Sequence, residues 1–241
     1  MIADVAPDIE RAIVDAAPDG PPPLCDTTDP SLKLCLEFDE RGLATATTAR
    51  DGSGLGHDAA IASIAITTRT VPTASQAIVS SSSTSMWLAK SSDFNLQHFT
   101  LTAWVNYHAT PASQQGVIDT GKQYTMSINN NDQVQCAISN GGNTFGLNLN
   151  VTVAHDAWQL IGCTYDGTTW CALALRGTSL NQQCQGFTKS VDTSPTAGTA
   201  IAGWATSPVS ANFIGSIDQV RIYGRALSSS EVCAAAGVTC T

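Results

Sequence analysis

No stretch of the 241-residue chain strings together the roughly 18 apolar residues that a membrane-spanning helix needs, so no segment reads as one. Charge is scarce as well. Asp, Glu, Lys and Arg make up 13% of the residues, against about 25% in ordinary soluble domains. A helical bundle needs charged outer faces, and this composition cannot supply them. The eight cysteines contain no CxxC pair and the four histidines are scattered, which leaves no zinc-finger spacing. A basic patch is missing too, and the net charge of −9 excludes a nucleic-acid footprint. Glutamate is limited to Glu10, Glu37, Glu40 and Glu231, and there is no GxSxG nucleophile elbow. No signal-peptide pattern follows Met1.

Ser, Thr, Asn, Gln, Gly and Ala fill the space that charge leaves, as suits a large sheet protein with many turns. The acidity is local. Residues 1–40 hold ten acids and two bases, and residues 41–241 hold ten acids and nine bases. The segment 1–24 is rich in Ala, Asp and Pro and ends in Pro21-Pro22-Pro23, so it reads as an extended, self-repelling spacer, with a helical turn conceivable around Ile9–Ala17. Met1 running straight into this stretch reads as a chain whose export signal has been removed, with room for a lipid anchor upstream. Eight cysteines without metal spacing read as disulfides in an oxidising compartment, and they allow 105 connectivities.

From Leu32 onward strand signals repeat over 25–241, the expected domain. They fall at 32–38, 60–66, 76–80, 85–89, 98–107, 116–120, 124–128 and 133–138, then at a hairpin across Asp166-Gly167, and last at 211–224. Phe99, Leu101, Ala103, Val105 and Tyr107 share one parity. Near the end, Phe213, Gly215 and Ile217 share a parity that Val220 and Ile222 break. A regular strand cannot bury both sets on one side, so a β-bulge is expected near Asp218-Gln219, re-aiming Asp218. One helix is expected near 229–236, with a capping box from Ser228 and Glu231 and a stop at Gly237.

Five segments together carry a family resemblance: LCLEFDE (34–40), DGSGLGHD (51–58), DFNLQHFTLTAWV (93–105), WQLIGCTYDG (158–167) and FIGSIDQVRIYGRALSSSEV (213–232). In this order they resemble the laminin-G-like, concanavalin A-like family. The cysteine-bearing pieces are similar to versions found in bacterial surface lipoproteins. The resemblance implies an all-β, two-sheet antiparallel jelly-roll sandwich with one short C-terminal helix. That architecture in turn suggests local disulfides: Cys25 with Cys35, Cys136 with Cys163, Cys171 with Cys184, and Cys233 with Cys240. It also implies a structural calcium ion held by Asp218, with Asp39 and the Asp51-Gly52 loop contributing oxygens.

Relatives with this fold include glucanases that use two carboxylates in an ExDxxE strand. Here the nearest match is Glu37-Phe38-Asp39-Glu40, with the second Glu misplaced. Asp119, Asp166 and Asp192 do not pair at i, i+2. His57, His98, His108 and His155 read as surface residues. Sugar binding wants exposed aromatic faces beside amides or carboxylates. Trp170, at a hairpin tip, and Trp204, in a Gly/Ser/Pro loop, are the expected platforms, while Trp104 and Trp158 read as packing and Trp87 is a further aromatic candidate. The expectation is a non-catalytic, extracellular or cell-surface binding or adhesion module whose partner is a glycan or a surface protein. A protein-interaction or structural jelly roll is the alternative, and a glycoside hydrolase the second alternative.

Overall fold

A strand with one apolar parity must bury that face against a second layer. The chain meets this demand with two antiparallel eight-stranded sheets. The computed structural model describes residues 25–70, 72–81, 84–108, 114–193, 197–205, 210–211 and 213–241. The spacer expected over 1–24, with its helical turn, lies outside the described residues. Strands are numbered in chain order. The first sheet runs β14 (Ser179–Gly186), β13 (Thr169–Arg176), β12 (Trp158–Tyr165), β7 (Phe99–Tyr107), β18 (Gly215–Tyr223), β5 (Ser75–Ser80) and β4 (Ala65–Arg69). Strand β1 (Leu32–Leu36) also pairs with β18. The second sheet runs β11 (Asn143–Thr152), β10 (Gln133–Asn140), β9 (Tyr124–Ile128), β8 (Gln115–Asp119), β15 (Thr199–Ile201), β6 (Ser85–Leu88), β3 (Ala59–Ala62) and β2 (Thr48–Ala49). A two-residue pair, β16 (Gly203–Trp204) with β17 (Ser210–Ala211), stands apart. The expected all-β sandwich is what forms.

The expected parity of β7 holds. Phe99, Leu101, Ala103, Val105 and Tyr107 are buried in one cluster with Met86, Met126, Ile128, Val134 and Ile138 of the opposite sheet. Each of the Val, Leu, Ile, Phe and Met side chains among them contributes about 1.5–3 kcal/mol when fully buried. The first sheet is apolar on its outer side as well. There Trp104, Leu160, Leu173, Leu175 and Tyr223 form a second cluster with Leu227, Val232 and Ala236. The last two belong to or directly follow α1 (Ser229–Ala235), which has the expected capping box from Ser228 and Glu231, and Gly237 behind it at φ 73°.

The expected bulge is present, and it is a fork. Before it, Gly215–Ile217 pair with β5; after it, Val220–Tyr223 pair with β1. Register against β7 shifts between Asp218 and Arg221, and Gln219 takes φ 46°. The extra residue lets Phe213, Ile217, Val220 and Ile222 all reach the same core. Asp218 fills the crotch of the fork. Its Oδ2 accepts from Arg69 Nε at 2.6 Å and its Oδ1 from the Gln219 N–H at 2.7 Å, and both paired side chains are wholly buried. Arg69 lies 4.9 Å from the centre of the Trp104 ring. Three residues on, the buried Arg221 donates to Glu37 at 2.9 Å and to the Ala235 carbonyl at 3.0 Å, tying β18 to the residue after β1 and to the end of α1.

One expected strand proves to be two. The run 60–66 breaks at Ser63, which takes φ 55°. The residues before it lie in the second sheet as β3 and those after it in the first sheet as β4. An apolar run that crosses between layers has no parity signature, which is why it read as a single strand. The four disulfides join the four expected pairs, Cys25–Cys35, Cys136–Cys163, Cys171–Cys184 and Cys233–Cys240. Only Cys136–Cys163 crosses from sheet to sheet. Closing loops this short contributes roughly 2–3 kcal/mol each.

Two predictions concern the fork. Removing one partner of a buried ion pair strands the other, so Arg69→Ala is expected to lower stability to urea by about 3–5 kcal/mol; a loss below about 1 kcal/mol would show that the pair does not hold the fork. Burial pushes the Asp218 carboxyl up to about 6, despite the Arg69 charge and hydrogen bond that pull it down. The folded chain therefore holds this proton more tightly than the unfolded chain, whose value is 3.8. The group's favourable contribution is complete below that value and is lost as pH rises through about 6. The stability difference between the native chain and Asp218→Asn should fall by up to about 3 kcal/mol from pH 4 to pH 7, read by urea denaturation. A flat or rising difference would contradict the assignment.

Candidate functional site

The two outer faces of the sandwich differ. That of the first sheet is occupied by α1, Trp104 and two buried ion pairs. On the second sheet, alternate residues Ile61, Met86, Leu88, Ile118, Met126, Cys136, Leu147 and Ile201 enter the core. Their neighbours must therefore point away from it. Strand register aligns these outward residues into rows. One row reads Ala60, Trp87, Ala200, Asp119, Thr125, Ala137 and Gly146 across β3, β6, β15, β8, β9, β10 and β11. The next reads Gly116, Ser127, Gln135 and Asn148.

Two tryptophan rings lie on this face, and glycines make room for each. A Cβ on Gly198 would sit 2.9 Å from Cζ2 of Trp87. A Cβ on Gly116 would collide with the Gly203 carbonyl and lie 3.1 Å from Cδ2 of Trp204. Both rings are half-buried. Asp119 fastens the Trp204 segment down: its Oδ2 accepts from the Ala205 N–H at 2.8 Å, and its Oδ1 from the Gly121 N–H at 3.2 Å and the Thr125 hydroxyl at 3.1 Å.

From the Trp204 side a ladder of amides runs on across the sheet. Gln114 Nε2 donates to the Ser127 hydroxyl at 2.6 Å and also to Gln135 Oε1. Gln135 Nε2 donates to Asn148 Oδ1 at 2.8 Å. At the sandwich edge, Asn150 Nδ2 donates to Gln183 Oε1 at 3.1 Å, reaching from β11 to β14. Small residues, Ala137 and Gly146, floor the space between. The result is a largely neutral face that carries aromatic rings and fixed amide donors and acceptors, groups whose chemistry suits hydroxyl-rich ligands.

The two tryptophans expected as platforms part company. Trp204 lies on this face. Trp170 does not: it is 2% exposed, points between the sheets and stacks on Phe187 at 4.9 Å. Its parity with Ala172 and Ala174, both buried in the same cluster, is the signal that places it inside. Trp104 is packing, as expected, on the outer face of the first sheet, and Trp158 is half-buried against the second cluster. Trp87, raised only as a candidate, is the ring that the face presents beside Trp204. Asn148 and Asn150 were not anticipated, because Asn is depleted in strands. The alternation of Phe145, Leu147, Leu149 and Val151 would have revealed β11.

The calcium set does not assemble. Asp218 is engaged by Arg69, whose fixed positive charge stands where a cation would have to sit. Asp39 accepts from the Gln76 N–H at 2.6 Å and from the Ser75 hydroxyl at 3.2 Å. Asp51 accepts from the Cys35, Ser53 and His57 N–H groups at 3.0, 2.9 and 3.0 Å and from the Ser53 hydroxyl at 2.6 Å, a turn that clips its loop to β1. Gly52 donates to the Cys35 carbonyl at 2.8 Å and lies where any Cβ would strike Cys25 Sγ. Among the described residues, no three Asp or Glu side chains bring oxygens within 4.8 Å of one another. The residues present do not fit calcium, which wants six to eight oxygens around one point. Three histidines pair with aspartates: His57 with Asp93 at 2.9 Å, His108 with Asp156 at 2.8 Å and His155 with Asp132 at 3.0 Å. A cleft of about 340 Å³ lies between α1 and Asp26–Asp29, but Arg225 pairs with both Asp29 and Glu231, and Asp26 accepts from the Thr28 N–H and hydroxyl.

The sequence model of a family described as the concanavalin A-like lectin/glucanases superfamily matches residues 68–233. Among solved structures, the chain is similar to domain 4 of AbnA, a GH43 extracellular arabinanase from Geobacillus stearothermophilus, in complex with arabinotriose. The TM-score is 0.64 at 16% identity, covering 86% of this chain and 98% of that one. It is also similar to the binding domain of botulinum neurotoxin DC in complex with SialylT, with TM-score 0.61, 12% identity, and 86% and 51% of the two chains covered. A third is a mutant of Trypanosoma rangeli sialidase displaying trans-sialidase activity, with TM-score 0.52, 15% identity, and 84% and 32% covered. At these identities the likeness is one of fold. No curated protein matches the chain.

One prediction tests the metal corner. Millimolar calcium and a chelator are expected to leave the melting temperature where it is. A calcium-dependent rise that disappears in Asp218→Ala would restore the calcium reading.

Proposed function

Because this chain belongs to the concanavalin A-like lectin/glucanase superfamily, we propose that it is a non-catalytic carbohydrate-binding module that works outside the cell or on its surface. The observation that carries this reading is the outer face of the second sheet, where the Trp87 ring on β6 and the Trp204 ring over Gly116 of β8 are followed along the sheet by the Gln114–Gln135–Asn148 ladder. Aromatic faces cover the apolar side of a sugar ring, and the amides meet its hydroxyls. Similar structures in complex with arabinotriose and with SialylT support a glycan as the partner.

A retaining glycosidase needs two carboxyl groups about 5–5.5 Å apart across the scissile bond. The strands of this sheet carry one carboxylate, Asp119, whose oxygens already accept three hydrogen bonds. That favours binding over hydrolysis. Four disulfides favour an oxidising, exported setting. The acidic, proline-ended segment 1–24 suits a spacer that holds the domain off a surface, with an adhesive role.

Titration calorimetry against glycans identified on an array tests the site. Trp87→Ala and Trp204→Ala are each expected to weaken binding by about tenfold, the equivalent of about 1.4 kcal/mol. If both variants stay folded by circular dichroism and bind as tightly as the native chain, the glycan site lies elsewhere.

A further inference from the structure

We infer that this face selects uncharged sugars and discriminates against acidic ones. The inference rests on the carbohydrate-binding reading and narrows it to a ligand class. Its first support is a census of charge. The eight strands of the second sheet contain no Lys, Arg, His or Glu, and their only charged residue is Asp119. Asp119 is 9% exposed, with both oxygens committed to the Gly121, Thr125 and Ala205 donors. In a chain with eleven Lys and Arg residues, the eight strands of this sheet supply no counter-charge of their own. Arg50, Lys90 and Lys122 follow β2, β6 and β8, so the flanking cations gather at the Trp87–Asp119 end, where Lys90 lines a hollow with Gly198 and Thr199. The amide row through Gln135 and Asn148 is displaced toward the other end of those strands, two register steps past Asp119.

A sugar carboxylate laid on the amide row would shed water and meet no guanidinium or ammonium carried by those strands in return. Burying an unpaired charge is far more costly than burying a hydroxyl, and proteins that take carboxylates supply Arg for bidentate pairing. The single acid on the face would add repulsion.

The second support is what the face does offer. A side-chain amide holds donors and an acceptor together, so it can meet a hydroxyl in either role. In the ladder, Gln135 is fixed from both sides: Gln114 donates to its oxygen, and its nitrogen donates to Asn148. Asn148 is exposed and accepts through its oxygen, which leaves its Nδ2 group available as a donor. Side chains already locked in place lose little rotamer freedom on binding, which favours a weakly held neutral ligand. No part of this recognition depends on net charge, so it should be insensitive to salt.

The test is calorimetry on the full chain with two sets of oligosaccharides. The neutral set is arabino-, xylo-, gluco- and galacto-trioses; the acidic set is sialyllactose and a galacturonate trimer. Each is measured at about 50 and about 500 mM sodium chloride, where screening differs several-fold. Binding is expected from the neutral set, with affinity unchanged within about twofold between the two salt conditions, and acidic sugars at least about tenfold weaker. Acidic sugars binding as tightly, or neutral binding that weakens about tenfold in salt, would overturn the selectivity while leaving the carbohydrate reading intact. Binding by neither set, with the protein folded, would remove the carbohydrate reading and this inference together.

Discussion

Two opposite charges taken out of water cost several kcal/mol each in lost hydration, and only close pairing with further hydrogen bonds offsets that cost. Arg69 and Asp218 meet at 2.6 Å, wholly buried, at the point where β18 exchanges β5 for β1, and their pairing offsets part of that cost, since burial still holds the Asp218 carboxyl above its ordinary range. The bulge at Gln219 breaks the strand's alternation there, and the freed Asp218 turns to the last residue of β4. The pair thereby locks the order of four strands. Arg221 and Glu37 repeat the device one turn of the pleat later, with the end of α1 as a third partner. Isosteric apolar packing could stabilise such a corner equally well. An ion pair adds direction, because only one register satisfies it.

The outer face of the first sheet is thus given over to architecture. Its tryptophan, its two arginines and its helix contact are all structural. With that side sealed, the sheet is apolar on both faces, and residues such as Trp170, Cys171, Ala172 and Leu173 run unbroken along β13. The second sheet is the opposite case. Its inner face is as apolar as its partner's, but its outer face stays polar, uncharged and lightly covered. Glycines at 116 and 198 admit two aromatic rings, and a single buried carboxylate holds the loop that brings one of them. The asymmetry between the two faces is what sets the second sheet's outer side apart as the proposed binding surface.

The local disulfides fit the same division. Cys25–Cys35 tightens the loop that Asp51 and Gly52 clip to β1, Cys233–Cys240 closes the end of α1, and Cys171–Cys184 reinforces an edge hairpin. Only Cys136–Cys163 joins the sheets. None lies on the outward row of Trp87 and Asp119, so the covalent framework steadies the scaffold without occupying the face.

Much of the fold could be read from the chain because its signals are local. The alternation in Phe99–Tyr107, the Asp166-Gly167 turn, the Ser228–Glu231 capping box and the parity break at Asp218 each depend on a few neighbouring residues and on nothing distant. The sequence alone therefore determined many of the strands, the helix, the bulge and the scarcity of charge, but not β11 or the break at Ser63. Tertiary structure decided what each device is for. Arg69 stands 149 residues from Asp218, and no local pattern announces that a guanidinium meets the carboxylate that resemblance had assigned to calcium. Whether a tryptophan is core or surface depends on which layer covers it, which sent Trp170 inward and left Trp87 and Trp204 on the face. The amide ladder joins Gln114, Gln135 and Asn148 only because β8, β9, β10 and β11 align in register. Side-chain chemistry is written one residue at a time, but a site is a coincidence of distant residues, and only the packed sheet fixes that coincidence.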